Sequence, residues 1–338
     1  MKRILFSTAA ALALALATTA LYYGTPTLFK QPLLDLNRQL SGLSAKTVRI
    51  AGHQVHYLDS GPTQPGTAQG HDGLPIILLH GIFAEKDHWA DFARPITATR
   101  RVIAPDLPGF GESTRDEAEP YDYAAHTRRL RELMDAWGIA KAHLAGNSMG
   151  GTIAALLALE HPDRVASVAF VGAPHGLRSP QPSRMDRLID AGQRPLVAHD
   201  AAAFKAMMAL VFEKRPFLPY PILHASEQDA LRNAASNTRL WDAQLKDRYL
   251  LEQRLATGLP QPTLALWGEQ DRVFDISGSQ ALHTLLPGAH IERLPGIGHL
   301  PMMEAPGDTA RRYTEFLTRQ APAGASHALT DAHSWPAR

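Results

Sequence analysis

Along the 338-residue chain, apolar and polar positions change their period in a regular way. Short apolar runs have the length of buried strands: Ile76-Ile77-Leu78-Leu79, Arg101-Val102-Ile103-Ala104, His143-Leu144-Ala145, Val165 to Val171, Thr263 to Trp267 and Ile291 to Leu294. Between them lie helical patterns. Tyr121 to Trp137 has that periodicity through Leu130, Leu133, Met134 and Trp137, Met149 to Leu159 reads as a small-residue helix, and Glu304 to Leu317 closes the series. A strand pair, Val48–Ile50 and Val55–Leu58, precedes them, and the Gly, Pro, Thr and Gln stretch from Gly61 to Gly73 reads as a loop. Strands alternating with helices predict a parallel sheet covered on both faces.

One region breaks the rhythm. From Leu177 to Pro260 there are helical stretches and prolines without a convincing strand, and Phe204, Met207, Met208 and Val211 share one helical face. This predicts a helical cap over 177–260, inserted into a core of 46–176 and 261–319. Beyond it, 320–338 is small and polar and reads as a loose tail.

The N-terminus carries a different signal. Lys2 and Arg3 precede Ile4 to Tyr23, a run without a formal charge. A cleavable signal has an apolar region of about 7–15 residues, whereas a membrane span needs about 20. The length predicts an uncleaved signal anchor over 1–25, with Tyr22 and Tyr23 suited to the membrane–water boundary. Thr18-Thr19-Ala20 is a passable cleavage site, so secretion after cleavage is the alternative. Either way the folded part lies across the membrane from Lys2 and Arg3, in the periplasm if the cell is bacterial. The linker 26–45 spaces Leu28, Phe29, Leu33, Leu34, Leu36, Leu40 and Leu43 among polar residues, as an amphipathic helix does.

Composition narrows the function. With 34 Lys+Arg against 33 Asp+Glu, nothing marks a nucleic-acid partner. The absence of cysteine excludes disulfides, thiolate catalysis and Cys-ligated metals. The apolar share of 45% is that of a folded globular chain.

The chemistry is carried by Gly146-Asn147-Ser148-Met149-Gly150, a G-x-S-x-G motif directly after an apolar strand and directly before a helix. That context defines a nucleophile elbow, with Ser148 raised at the mouth of a helix. A serine hydroxyl needs a base, and partners in this arrangement follow in the order Ser, acid, His. Asp271 and His299 both follow strands, through Gly268-Glu269-Gln270 and Gly296-Ile297-Gly298, and are the expected acid and base. Glu269 and Asp275 are the competing acids. Two backbone N–H groups must hold the developing oxyanion. Met149 gives one, and Ile82 in His80-Gly81-Ile82-Phe83 is the expected second, with Phe83 next. His80 is expected to hydrogen-bond structurally. Gly109-Phe110-Gly111 lacks the third glycine of a dinucleotide fingerprint and the lysine of a P-loop. His53 and His56 lack a third ligand, so no metal is expected. Phe83, Met207 and Met208 are the candidate contacts to substrate.

Together, His80-Gly81, Asp106-Leu107-Pro108-Gly109-Phe110-Gly111, Gly146-Asn147-Ser148-Met149-Gly150-Gly151, Trp267-Gly268-Glu269-Gln270-Asp271 and Gly298-His299 resemble the α/β-hydrolase superfamily over about Val48 to Leu317. The resemblance implies a mostly parallel eight-stranded sheet flanked by helices. The segments His80 to Trp89 and Asp271 to Gly278 are similar to those of membrane-anchored monoacylglycerol lipases and related bacterial lipases. Hydrolysis of monoacylglycerols or other acyl esters, without a cofactor, is what this likeness implies. The residues alone leave open carbon–carbon or amide hydrolysis on the same fold, and a non-catalytic ligand-binding member.

Overall fold

The computed structural model describes residues 16–62 and 72–320, so most of the expected anchor, part of the Gly61–Gly73 loop and the expected tail lie outside the described residues. The strands are β1 (Ser44–Ile50), β2 (His53–Asp59), β3 (Ile76–Leu79), β4 (Val102–Pro105), β5 (Ala142–Ser148), β6 (Val165–Pro174), β7 (Thr263–Gly268) and β8 (His290–Leu294). They form one eight-stranded sheet in the order β1-β2-β4-β3-β5-β6-β7-β8. β2 runs antiparallel to both its neighbours, and every other pair is parallel. All four side chains of β3 are fully buried. The unbroken apolar run thus has its physical reason: both faces of the strand are covered, so nothing selects an alternation.

The strand order reverses at β3, which pairs with β4 on one side and β5 on the other. Ligands of open α/β sheets gather at such a reversal, beyond the carboxyl ends of the strands. Ser148 ends β5 there, and the loop carrying His80 to Phe83 leaves β3 beside it.

The longer helices are α1 (Thr27–Leu40), α2 (Tyr123–Ala136), α3 (Met149–Glu160), α4 (Arg184–Asp190), α5 (Ala201–Val211), α6 (Tyr220–Arg232), α7 (Ala234–Leu245), α8 (Leu250–Leu255), α9 (Gly278–Leu285) and α10 (Pro306–Gln320). α3 is buried from Met149 through Ala158, which explains its apolar character on every face. Helices α4 to α8 all lie between β6 and β7. Side chains set their starts: Ser183 and Asp186 form a capping box on α4, and Asp200 accepts from Ala203 N–H at 2.7 Å on α5.

Helix α1 is seated more by polar groups than by its leucines. Leu34 and Arg38 are buried, whereas Leu28, Leu36 and Leu40 are exposed. Arg38 makes a two-pronged ion pair with Asp87, at 2.7 Å for both contacts, and Lys30 reaches Asp229 of α6 at 3.0 Å.

Helix α2 buries His126 between the rings of Phe110 and Tyr121, with centroids 5.8 and 6.0 Å away. Neither of its nitrogens has a hydrogen-bond partner among the described residues. Burial, reinforced by the Arg129 charge, pushes the His126 pKa down to about 3. Its folded-state pKa is thus below the unfolded value of 6.5, so its contribution is present above pH 6.5 and is lost as pH falls towards 3. The His126→Phe variant removes that loss. Between pH 6.5 and 5, its unfolding free energy in urea should fall by about 1–2 kcal/mol less than that of the parent. Parallel pH profiles for the two proteins would contradict the assignment.

Candidate active site

The site begins with the turn from β5 into α3. Ser148 sits at φ 51° and ψ −118°, a conformation that costs a non-glycine residue roughly 1–3 kcal/mol. Close packing enforces it. A Cβ on Gly146 would come within 2.3 Å of the Gly150 carbonyl carbon, and one on Gly150 within 2.2 Å of the Leu79 oxygen. Only glycine at both positions lets the turn close against β3.

The acid loop is fixed by its own strand. Trp267 of β7 donates its indole N–H to the Phe274 carbonyl at 3.1 Å. Asp271 Oδ1 accepts from the Val273 and Phe274 N–H groups at 2.8 and 2.9 Å, leaving Oδ2 to meet His299 Nδ1 at 2.8 Å. Asp271 and His299 are both buried. Glu269 is exposed, and the half-buried Asp275 accepts from Ser277 N–H instead. Asp271 is therefore the carboxylate that meets the histidine.

The histidine loop is held from three directions. His299 N–H donates to the Val211 carbonyl of α5 at 3.0 Å. Asn147 Nδ2, beside Ser148, donates to the His299 carbonyl at 3.0 Å and to the Val171 carbonyl at 2.8 Å. Glu304 accepts from Gly298 N–H at 3.0 Å, and from Glu213 and Lys214 N–H at 3.1 and 2.8 Å. Burial raises the Glu304 pKa, and these backbone donors oppose the rise. Sequence reasoning singled out neither Asn147 nor Glu304. Asn147 occupies an unrestricted position of the motif, and Glu304 stands five residues past His299 without a distinguishing spacing.

On the opposite side, His80 shapes the loop after β3. Its Nδ1 lies 2.7 Å from the Gly81 carbonyl, and its Nε2 accepts from Leu107 N–H at 3.0 Å, which assigns the ring hydrogen to Nδ1. The ring thus plays the structural part expected of it. Among the described residues no group accepts from the Ile82 or Phe83 N–H. The turn Asp106 to Ser113 wraps a buried carboxylate. Asp106 takes the Lys86 N–H and ammonium and the Glu112 N–H at 2.7, 2.8 and 2.9 Å.

A narrow pocket, open in part to solvent, borders Ser148 and Ile82. Its apolar wall comes from Met185, Leu196 and Trp241 of the inserted region and from Phe274. Phe83, Met207 and Met208 do not line it, contrary to the sequence expectation. Phe83 packs on Phe110, with centroids 6.4 Å apart, while Met207 and Met208 pack against the two main hydrophobic clusters. The two half-buried methionines help to dock α5, each against a different cluster, and the Val211 carbonyl of α5 holds His299.

The chain is similar to known proteins over most of its length. The model of the alpha/beta hydrolase fold matches residues 75–306. Lipase 3 of Moraxella sp. (strain TA144) is 28% identical over 85% of this chain and 88% of its own length. Monoacylglycerol lipase abhd6-B of Xenopus laevis is 28% identical over 80% of this chain and 84% of its own. A crystal structure of a membrane phospholipase A, described as a bacterial virulence factor, superposes with a TM-score of 0.82 at 33% identity, covering 96% of this chain and 100% of that one. A strained serine between two glycines, a buried aspartate–histidine pair and a family match across the sheet agree: the chain belongs to the α/β-hydrolase family.

Proposed function

We propose that the protein cleaves monoacylglycerols and short to medium acyl esters through an acyl-enzyme on Ser148. That it is an ester hydrolase rests on its family and on relatives named as lipases. The observation that carries the residue assignment is the 2.8 Å bond from His299 Nδ1 to Asp271, which leaves the Nε2 lone pair free to act as base. Ser148 Oγ attacks the ester carbonyl carbon while His299 Nε2 takes its proton. The N–H groups of Met149 and Ile82 receive the oxyanion. Collapse breaks the bond to the alcohol, which leaves with the proton from His299. Water then adds to the acyl group by the same proton route, releasing the acid and Ser148. The apolar pocket beside Ser148 takes the acyl chain, where each buried methylene contributes about 0.8 kcal/mol.

Membrane attachment through the N-terminal segment belongs to the same reading. The run Ile4–Tyr23 has no formal charge, and among its described residues Leu16, Leu21 and Tyr23 are exposed. No helix among the described residues is long and apolar enough to cross a membrane.

Two outcomes follow. Ser148→Ala or His299→Ala lowers kcat on monoacylglycerol by on the order of a millionfold, and Asp271→Ala by roughly ten-thousandfold, in folded protein. Near-normal turnover by Asp271→Ala would return the acid assignment to Glu269 or Asp275. The full-length protein stays with membranes through a high-salt wash and needs detergent for release, because salt screens only charge attraction. A mature chain beginning near Leu21 by mass spectrometry would refute the anchor.

A further inference from the structure

The pocket beside Ser148 contains a polar arrangement that the proposed chemistry does not use. Beyond the apolar wall, its lining includes His175 and Gln244. Tyr123 O–H lies 2.7 Å from His175 Nδ1 and 3.5 Å from Gln244 Oε1, while the Gln244 amide N–H₂ contacts the Met149 sulfur. The backbone at His175 is tied to the elbow. Its N–H donates to the Ser148 carbonyl at 3.2 Å, and its carbonyl accepts from Thr152 Oγ1 at 2.6 Å. Phe274 stands between the two imidazoles, with its ring centroid 5.4 Å from His299 and 5.8 Å from His175. A second histidine therefore sits one aromatic ring away from the proposed base, on the pocket wall.

Its nitrogens are not equivalent. Tyr123 O–H donates to Gln244 Oε1, so its oxygen accepts from His175 Nδ1–H at 2.7 Å, and the neutral ring presents the Nε2 lone pair. Nε2 has no hydrogen-bond partner among the described residues, and the half-buried ring lines the pocket. Burial, helped by the nearby Arg248 charge, pushes the His175 pKa down to about 4, which keeps the ring uncharged at neutral pH. No Lys, Arg, Asp or Glu lines the pocket among the described residues. A neutral acceptor in an uncharged, largely apolar pocket suits the hydrogen of a hydroxyl and offers nothing to a carboxylate or phosphate.

We propose that His175 Nε2 is a recognition point for a hydroxyl of the substrate, accepting its hydrogen and set in orientation by Tyr123, so that the enzyme favours acyl esters bearing a free hydroxyl near the scissile bond. The proposal rests on the ester-hydrolase reading and narrows its substrate class. The hydroxyl can stand on the alcohol side, as in a monoacylglycerol, or on the acyl side, as in a hydroxyacyl ester. Asparagine and glutamine at this position separate the two nitrogens. The amide of Asn takes the place of Nδ1, and that of Gln the place of Nε2.

The test measures kcat/KM of the full-length protein on monodecanoylglycerol, ethyl hydroxydecanoate and ethyl decanoate. In His175→Asn the ratio of a hydroxylated ester to ethyl decanoate should fall about tenfold, as for one lost hydrogen bond. In His175→Gln it should stay within about threefold of the parent. Which hydroxylated ester responds identifies the side that carries the hydroxyl. Ratios unchanged in His175→Asn, or lowered equally in both variants together with the melting temperature, would overturn the proposal. The second outcome would make His175 a prop for the elbow. Should His175→Asn fail to fold, Tyr123→Phe, which frees the ring to turn, must shift the same ratio in the same direction. Failure of the parent to hydrolyse any of the three esters would fall on the ester-hydrolase reading itself.

Discussion

His299 ties three separately built parts of the molecule together. Its N–H goes to Val211 of the inserted helices, its carbonyl to Asn147 beside the nucleophile, and its side chain to Asp271 on the loop after β7. Each bond contributes only about 1 kcal/mol net, but each partner is costly to leave buried and unpaired. The position of the imidazole is therefore overdetermined. Glu304 adds to this by clamping Gly298 to the segment that follows α5. Under the proposed function, a displacement of about 1 Å at a reacting group can cost roughly a hundredfold in rate, so the helical insertion helps to position His299 through Val211.

The other wall of the site depends on charge. The loop after β3 runs past Lys86, whose ammonium bridges Asp106 at 2.8 Å and Glu112 at 2.6 Å. Burial alone would lower the Lys86 pKa, but Asp106 and Asp87 more than offset it and raise it above its ordinary value. Asp87 also receives Arg38 of α1, so the N-terminal helix and the loop carrying Ile82 share one buried network. Removing one member of such a network strands its partners, at about 3–5 kcal/mol, which makes the loop and the helix interdependent. Arginine suits this seat because its planar fork matches both oxygens of Asp87.

Sequence made the sheet and the elbow legible for identifiable reasons. Buried parallel strands write themselves as unbroken apolar runs, and a turn as tight as Gly146–Gly150 tolerates almost no other spelling. Asp271 and His299 were legible by their order after the strands. The pocket was not. Trp241, Met185 and Leu196 come from three places in the insertion, and only tertiary packing brings them to Ser148. Met207 and Met208 share a helical face, but periodicity says only that a face is covered, not whether protein or substrate covers it. His175 and Glu304 were silent because a single polar residue has no period, and its meaning lies in its partners.

The covalent intermediate on Ser148 is the step on which the proposed function depends. Rapid acid quenching during turnover of a decanoyl ester, followed by intact-mass and peptide mass spectrometry, observes it directly. The account predicts a mass increase equal to one decanoyl group less the displaced hydrogen, located on Ser148 and absent from Ser148→Ala. Steady turnover with no acylated protein under burst conditions, or an acyl group on a different residue, would contradict it.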